Sequence, residues 1–359
     1  MGRIRILPHN LYASMPLGAE MLYLLAMIIK GGPHAGAGPA MLLNAAMASL
    51  AVAGVWLAGR QFSRPTALMA GLLTAGSPWL VHLSGVAYVE NTMLAHAACL
   101  LAVLTRLARR PAGAPFPRRD ALTAGLLAGL AGATKYTAVA LIAAPAMAPA
   151  ILLAWRLGGR VHFRSYCLKS AALFTLGLAA TLGPWMFKNL LAAGNPVFPL
   201  AYSTLGAREG LFDADLAGRW NQAHRPAEPD RGLGPRLRAL DDRILAHWRF
   251  GRYIPFILAI PILLTRRREP ADWTAAWLVV AAVGGWLAWT HLVDRFAVMI
   301  VPPLCLLGAR AIDAADRRRW RALVAVVAGG VILQNTLTTA GEYRRHLPQI
   351  GRASCRERV

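Results

Sequence analysis

Ten apolar stretches of helical length recur along the chain, separated by hydrophilic gaps. They cover 39–59, 66–83, 87–105, 120–134, 136–155, 170–187, 253–265, 273–290, 296–313 and 322–340. A helix needs about 20 apolar residues to cross the hydrocarbon core, and fewer where a bundle buries it. The pattern predicts an all-α polytopic membrane protein, a bundle of about ten transmembrane helices.

The gaps alternate in charge. Those at 60–64, 106–119, 156–169, 266–268 and 310–321 are rich in arginine, whereas the short gaps in between carry only Glu90, Lys135 and the Asp294–Arg295 pair. Short cytoplasmic loops retain Lys and Arg, so the loaded gaps are assigned inside. The first span then runs from outside to inside and the tenth ends outside.

Two segments do not fit as spans. Met15 to Ile29 is short, contains Pro16 and Gly18, and holds Glu20. As a crossing it would invert the topology, so it is read as an interfacial helix on the outer face. The long segment 188–252 opens with Gly194-Asn195-Pro196-Val197-Phe198-Pro199, a turn that cannot continue a helix. Within it Leu233, Leu237, Leu240, Ile244 and Trp248 recur at helical spacing. That predicts an amphipathic helix on the membrane surface, either an anchor that closes the loop or a lid over a site.

The resulting organisation is an external segment with the interfacial helix (1–38), six spans (39–187), an external loop (188–252), four spans (253–340) and an external tail (341–349). Residues 350–359, IGRASCRERV, match the translation of a sequencing adaptor and are set aside with Cys355 as an artefact. The chain is expected to be a fragment open at both ends. Within the fourth span, Gly125, Gly129 and Gly132 are expected to allow close helix approach, which is packing rather than chemistry.

Composition agrees with the membrane assignment. Of 359 residues, 56% are hydrophobic and 16% charged, against about 25% charged in a soluble domain. The net charge of +22 would suggest nucleic acid in a soluble protein. Here nearly half of the 39 basic residues sit in the loaded gaps, where topology and anionic lipid account for them. No basic blocks interleave with aromatic residues, and nucleic acid is excluded as a partner. Cys99, Cys167 and Cys305 form no disulfide or zinc pattern. An Ala- and Arg-rich, Lys-poor composition fits a bacterial source.

The sequence contains no phosphate-cradling glycine loop, HExxH, GxSxG or CxxC pair. The candidates for chemistry are ionisable residues at the outer ends of spans, where a charge is costly without a partner or ligand. Lys135 stands alone in a tight turn between two spans and suits a lipid phosphate; otherwise it snorkels to the head groups. Arg295 precedes a span interrupted by Pro302 and Pro303 and suits bidentate phosphate contact, unless Asp294 neutralises it. Glu90 and Glu20 are candidates to orient an acceptor, hold a metal or act as a base, or are ordinary acids at helix N-termini. His82, His96 and His291 are read as structural.

Taken together, Pro16-Leu17-Gly18-Ala19-Glu20-Met21-Leu22-Tyr23, Thr134-Lys135-Tyr136, Gly194 to Pro199, and Arg295-Phe296 followed by Pro302 resemble the GT-C glycosyltransferases. More narrowly they resemble bacterial relatives of the protein O-mannosyltransferase and aminoarabinose transferase group. The resemblance covers nearly the whole chain up to residue 349. It implies transfer of a sugar from a polyprenyl-phosphate donor to a glycan, lipid or protein acceptor at the outer face of the bacterial cytoplasmic membrane, with inversion. It further implies that Lys135 and Arg295 stabilise the departing lipid phosphate, with Glu90 and Glu20 on the acceptor or metal side. Some members of the family bind a divalent metal and others do not, and the sequence leaves that open. The family's catalytic carboxylate lies in a first external loop, expected upstream of Met1, so the fragment is expected to be inactive.

Two other classes compete. A transporter or flippase for an anionic lipid-linked substrate would use the same outer cations, but transporters place ionisable residues near the bilayer midplane. Here the middles of the spans are almost free of them. An undecorated membrane scaffold explains neither Lys135 nor the long outer loop.

Overall fold

The computed structural model describes residues 10–314, 322, 325–326 and 329–341. The described residues contain helices and no strand. After a short 3-10 turn at Leu11–Ser14 come α1 (Gly18–Ile29), α2 (Pro33–Arg60), α3 (Arg64–Ala75), α4 (Pro78–Ser84), α5 (Glu90–Arg109) and α6 (Arg118–Thr134). A π turn at Val139–Ala143 leads into α7 (Ala144–Ala193), followed by α8 (Tyr202–Leu205), α9 (Ala214–Ala223) and α10 (Leu233–Leu240). The chain continues through α11 (Ile254–Leu264), α12 (Pro270–Trp289) and α13 (Val301–Ala314). Residues 329–341 are again helical.

The first nine predicted spans fall on helices, but not every helix is a full crossing. Among the described residues four are long and apolar enough to span a membrane: Pro33–Arg60, Glu90–Arg109, Val139–Ala193 and Pro270–Trp289. The predicted span 66–83 is the pair α3 and α4, bent by 57° and counting as a fifth. Ser77-Pro78 makes the bend, because a residue before proline is pushed out of the helical region. Val139–Ala193 has 55 residues, twice the length a bilayer needs. Gly159 breaks it at φ 54°, a left-handed value that glycine adopts without penalty. The Ser170 hydroxyl donates to the Ala150 carbonyl at 3.0 Å, so the two arms return antiparallel as a hairpin and match the predicted spans 136–155 and 170–187. The last predicted span, 322–340, lies only partly among the described residues; 1–9 and 342–359 lie outside them.

Small residues let the helices approach. A Cβ on Gly125 would sit 2.1 Å from the Phe174 carbonyl oxygen, and one on Gly129 would sit 2.1 Å from Thr181 Oγ1. The glycine face of α6 thus packs on the returning arm of α7. Gly54 of α2 meets the backbone of Ala98 on α5 in the same way, with 2.8 Å to a hypothetical Cβ.

Described residues in or beside the loaded gaps meet at one end of the bundle. The guanidinium groups of Arg109 and Arg310 both lie over the Phe62 ring, at 4.9 and 4.0 Å. Arg156 donates to the carbonyls of Ala108 and Arg110. Arg106 pairs with Asp120 and Arg109 with Glu269. Arg310 takes Asp272 in two contacts of 3.0 and 3.2 Å. Asp272 also closes the N-terminus of α12 in a capping box with Glu269.

The long loop differs from expectation. α7 continues to Ala193, beyond the predicted end of its span at 187. The predicted amphipathic helix stops at Leu240 and passes into a π turn at Asp241–Leu245. Leu240 packs on the core and Ile244 is fully buried, while Leu233 and Leu237 are exposed. The apolar line is therefore divided between bundle and surface instead of lying along one membrane face.

Candidate functional site

At the opposite end of the bundle, three segments bring charges together. The first is the start of α5. The side-chain amide of Asn44 donates to the carbonyls of Leu83 and Val86, both at 2.6 Å. The Tyr23 hydroxyl lies 3.1 Å from Asn44 Oδ1 and 2.9 Å from the Tyr88 carbonyl. These bonds fix the loop that delivers Glu90, which is only 2% exposed.

The second segment is the turn after α6. Lys135 takes an extended conformation at the C-cap, with its N–H bonded to the Ala131 carbonyl at 3.2 Å. The next residue anchors the turn. The Tyr136 hydroxyl donates to the Pro196 carbonyl at 3.3 Å, and Asn189 Nδ2 lies 3.1 Å from that hydroxyl. Asn189 also reaches the carbonyls of Ser14 and Phe198. Gly194 to Pro199 therefore acts as a buttress behind Lys135. Gly194 ends α7 in the left-handed region at φ 76°, and Asn195 bonds the carbonyls of Leu200 and Gly206.

The third segment follows α12. Leu292 is held at φ 60°, a strained value for a branched residue. Its N–H donates to Thr290 Oγ1, its carbonyl accepts from Arg243, and buried Trp286 bonds the Val293 carbonyl. This fixed turn presents His291 and leads into the 3-10 helix Asp294–Ile300, which carries Arg295 and Phe296.

Lys135 is not alone, as its sequence context suggests. Its ammonium lies 3.0 Å from Glu90 Oε1 and 4.0 Å over the Phe296 ring. Arg295 Nε reaches the same Glu90 oxygen at 3.7 Å, and the guanidinium lies 4.8 Å over the Tyr88 ring. Asp294 does not neutralise Arg295 side chain to side chain: it accepts from the Arg295 backbone N–H, and its carboxylate faces His247 at 3.8 Å. Arg295 Nε is buried without a hydrogen-bond partner. The result is two cations sharing one buried carboxylate.

A cavity of about 560 Å³ opens beside them, lined by Glu20, Lys135, Tyr136, Trp220, His291 and Arg295, among others. Glu90 lies behind the wall. Glu20 is on the cavity because Gly18 lets α1 approach the end of α6; a Cβ there would stand 2.9 Å from the Ala133 carbonyl oxygen. Burial raises the Glu20 carboxyl above its ordinary range, partly offset by a backbone hydrogen bond and the Lys135 charge. Burial lowers Lys135, and Glu90 opposes that shift.

Sequence reasoning placed Glu20, Glu90, Lys135 and Arg295 at this end, and the fold brings all four together. It missed the covering element. α9, capped by Asp213, and the turn with Tyr12 close over the cavity, whereas Leu240 and Ile244 from the predicted amphipathic helix insert into the bundle. The signal available was Trp220 and His224, one helical turn apart. His291, read as structural, lines the cavity. Among the described residues no three His, Cys, Asp or Glu side chains group as a metal site.

Residues 16–185 match the dolichyl-phosphate-mannose-protein mannosyltransferase family, a region that holds Glu20, Glu90 and Lys135. No curated protein matches the chain. Among solved structures, ArnT from Cupriavidus metallidurans bound to undecaprenyl phosphate is similar at a TM-score of 0.59 and 18% identity, over 86% of this chain and 51% of that one. Its apo form gives 0.58 at the same identity and coverage. The Archaeoglobus fulgidus oligosaccharyltransferase, in complex with zinc and sulfate, gives 0.52 at 15% identity, over 91% of this chain and 44% of that one. The chain spans about half the length of these structures, and at such identities the likeness is one of fold.

Proposed function

We propose that this chain, a multi-pass membrane protein with the GT-C fold and related to ArnT and the protein mannosyltransferases, belongs to a glycosyltransferase. It moves a sugar from a polyprenyl-phosphate donor to an acceptor hydroxyl, with inversion. The observation that carries this is the placement of Lys135 and Arg295 on one cavity wall, both steadied by Glu90. Two cations sharing a single carboxylate leave positive charge at the cavity for a phosphate to neutralise.

In the reaction, the acceptor oxygen attacks the anomeric carbon as the bond to the phosphate oxygen breaks. The electron pair leaves with the lipid phosphate, and Lys135 and Arg295 stabilise the growing charge. Glu90, buried and committed to both cations, sets their positions. Glu20 is the carboxylate on the cavity and takes the acceptor side, where it can receive the proton of the acceptor hydroxyl. The charge alternation puts the arginine-rich end in the cytoplasm, and the cavity on the outer face of the cytoplasmic membrane.

The test is transfer from a polyprenyl-phosphate-linked sugar by the full-length protein in lipid nanodiscs. Lys135→Ala and Arg295→Ala should each abolish it. Unchanged turnover in both variants would sink the phosphate assignment.

A further inference from the structure

Beside the cations, the cavity wall is built of rings that this mechanism leaves unused. His224 stacks on Trp220 with centroids 3.8 Å apart and 24° between the planes. Tyr12 tilts against both, at 5.5 and 6.1 Å. His224 Nδ1 is 2.8 Å from the Trp220 carbonyl, and Nε2 is 3.4 Å from the Tyr12 hydroxyl. His291 stands edge-on to His224 at 5.8 Å and to Phe296 at 5.2 Å. Since Phe296 also carries the Lys135 ammonium, rings run without a break from the phosphate cations to Trp220.

His291 differs from His224 in one respect. Both nitrogens of His224 have partners, whereas among the described residues those of His291 have no hydrogen-bond partner, although the ring lines the cavity. Burial, then the neighbouring His224, Lys135 and Arg295, hold His291 below the usual imidazole range. That favours the neutral ring, with one donor and one acceptor to offer.

That lining selects a ligand class. It has no cation for a second phosphate, and a hydrocarbon chain would leave His291 unsatisfied. A sugar ring fits both halves. Its C–H face is slightly positive and lies well against the negative face of an aromatic ring, while its hydroxyls both donate and accept. Position agrees: in a glycosyl phosphate the anomeric carbon is bonded directly to a phosphate oxygen. A phosphate held by Lys135 and Arg295 puts the sugar on the adjoining wall.

We infer that Trp220, His224 and His291 form the subsite for the sugar ring of the donor, with the Trp220–His224 stack providing the aromatic surface and His291 binding a ring hydroxyl. This rests on the phosphate assignment above, and the experiment separates the two. Binding of citronellyl phosphate is compared with binding of citronellyl phosphate linked to mannose, glucose or galactose, using the full chain in nanodiscs. At least one glycosylated ligand should bind about tenfold more tightly than the bare phosphate, a difference of about 1.4 kcal/mol.

Trp220→Ala and His291→Phe should each remove that increment and leave the bare phosphate unchanged. The second variant keeps the ring contacts and loses only the nitrogens. Trp220→Phe should retain most of the increment. The inference is overturned if no sugar adds affinity, or if the variants weaken both kinds of ligand alike, as a purely structural cluster would. Failure of the phosphate reading looks different: Lys135→Ala would leave citronellyl phosphate binding intact.

Discussion

The Lys135 ammonium lies 3.0 Å from Glu90 Oε1, across 45 residues of sequence. The carboxylate is 2% exposed and the lysine side chain 26%, so the pair is only partly screened by solvent. Breaking a fully buried pair costs roughly 3–5 kcal/mol because a charge is left behind. With the lysine partly exposed, Glu90→Ala should cost about 2–3 kcal/mol. Thermal unfolding in nanodiscs measures this. Glu90→Ala with Lys135→Ala should destabilise by less than the sum of the single variants, since the two residues share one interaction. Additivity would mean that they are not coupled.

Glu20 has its carboxyl raised, first by burial. The unfolded chain therefore loses this proton at lower pH than the folded protein, and stability contributed at the site falls as pH rises between the two values. Glu20→Gln should be more stable than the parent at neutral pH, and the difference should vanish below the ordinary glutamate range. In activity the sign is opposite: a base must be ionised, so turnover should rise with pH through the raised value. Glu20→Gln should lose that limb. A limb that survives in the variant belongs to another group.

Packing between α6 and the returning arm of α7 leaves no room for a side chain. Gly125→Ala must push the backbone at Phe174 away, since its Cβ would stand 2.1 Å from the carbonyl oxygen. Overpacking of this kind costs roughly 1–3 kcal/mol. Gly183→Ala, with nothing within 4 Å, is the control and should be neutral or slightly stabilising, as expected for glycine inside a helix. Equal melting temperatures for the two variants would contradict the close approach.

At the arginine-rich end, Asp272 is 1% exposed and bonds Arg310 through both oxygens. Asp272→Ala removes that acceptor pair and half of the capping box of α12. Glu269 remains 3.5 Å from Arg310 and softens the loss, so a cost of about 3 kcal/mol is expected. Asp272→Asn should be milder, because it keeps the cap. The unfolding midpoints of the two variants make the comparison.

The positions of the helices were readable because apolar length and arginine spacing are local properties. Their character as full crossings was not. α6 is built from Ala and Gly and is 17 residues long; whether that spans depends on what surrounds it. Lys135, Arg295, Glu90 and Glu20 could be singled out as charges at the ends of spans, but the shared Glu90 oxygen could not, since nothing local relates positions 90, 135 and 295. The amphipathic line from Leu233 to Trp248 misled, because periodicity gives a face without saying what that face meets. Trp220 and His224 were passed over for the same reason: their role depends on Tyr12 and His291, far away in sequence.

The ties at the arginine-rich end have a mechanical consequence. Phe62 under Arg109 and Arg310, Arg156 on the carbonyls of 108 and 110, and the Asp120, Glu269 and Asp272 pairs tie that end shut. Alternating access requires a bundle to part first at one end and then at the other. Here parting at the arginine-rich end would break several ion pairs at once, with the buried guanidinium of Arg310 among them. The cavity end is covered instead by α9 and the Tyr12 turn, which carry none of those ties.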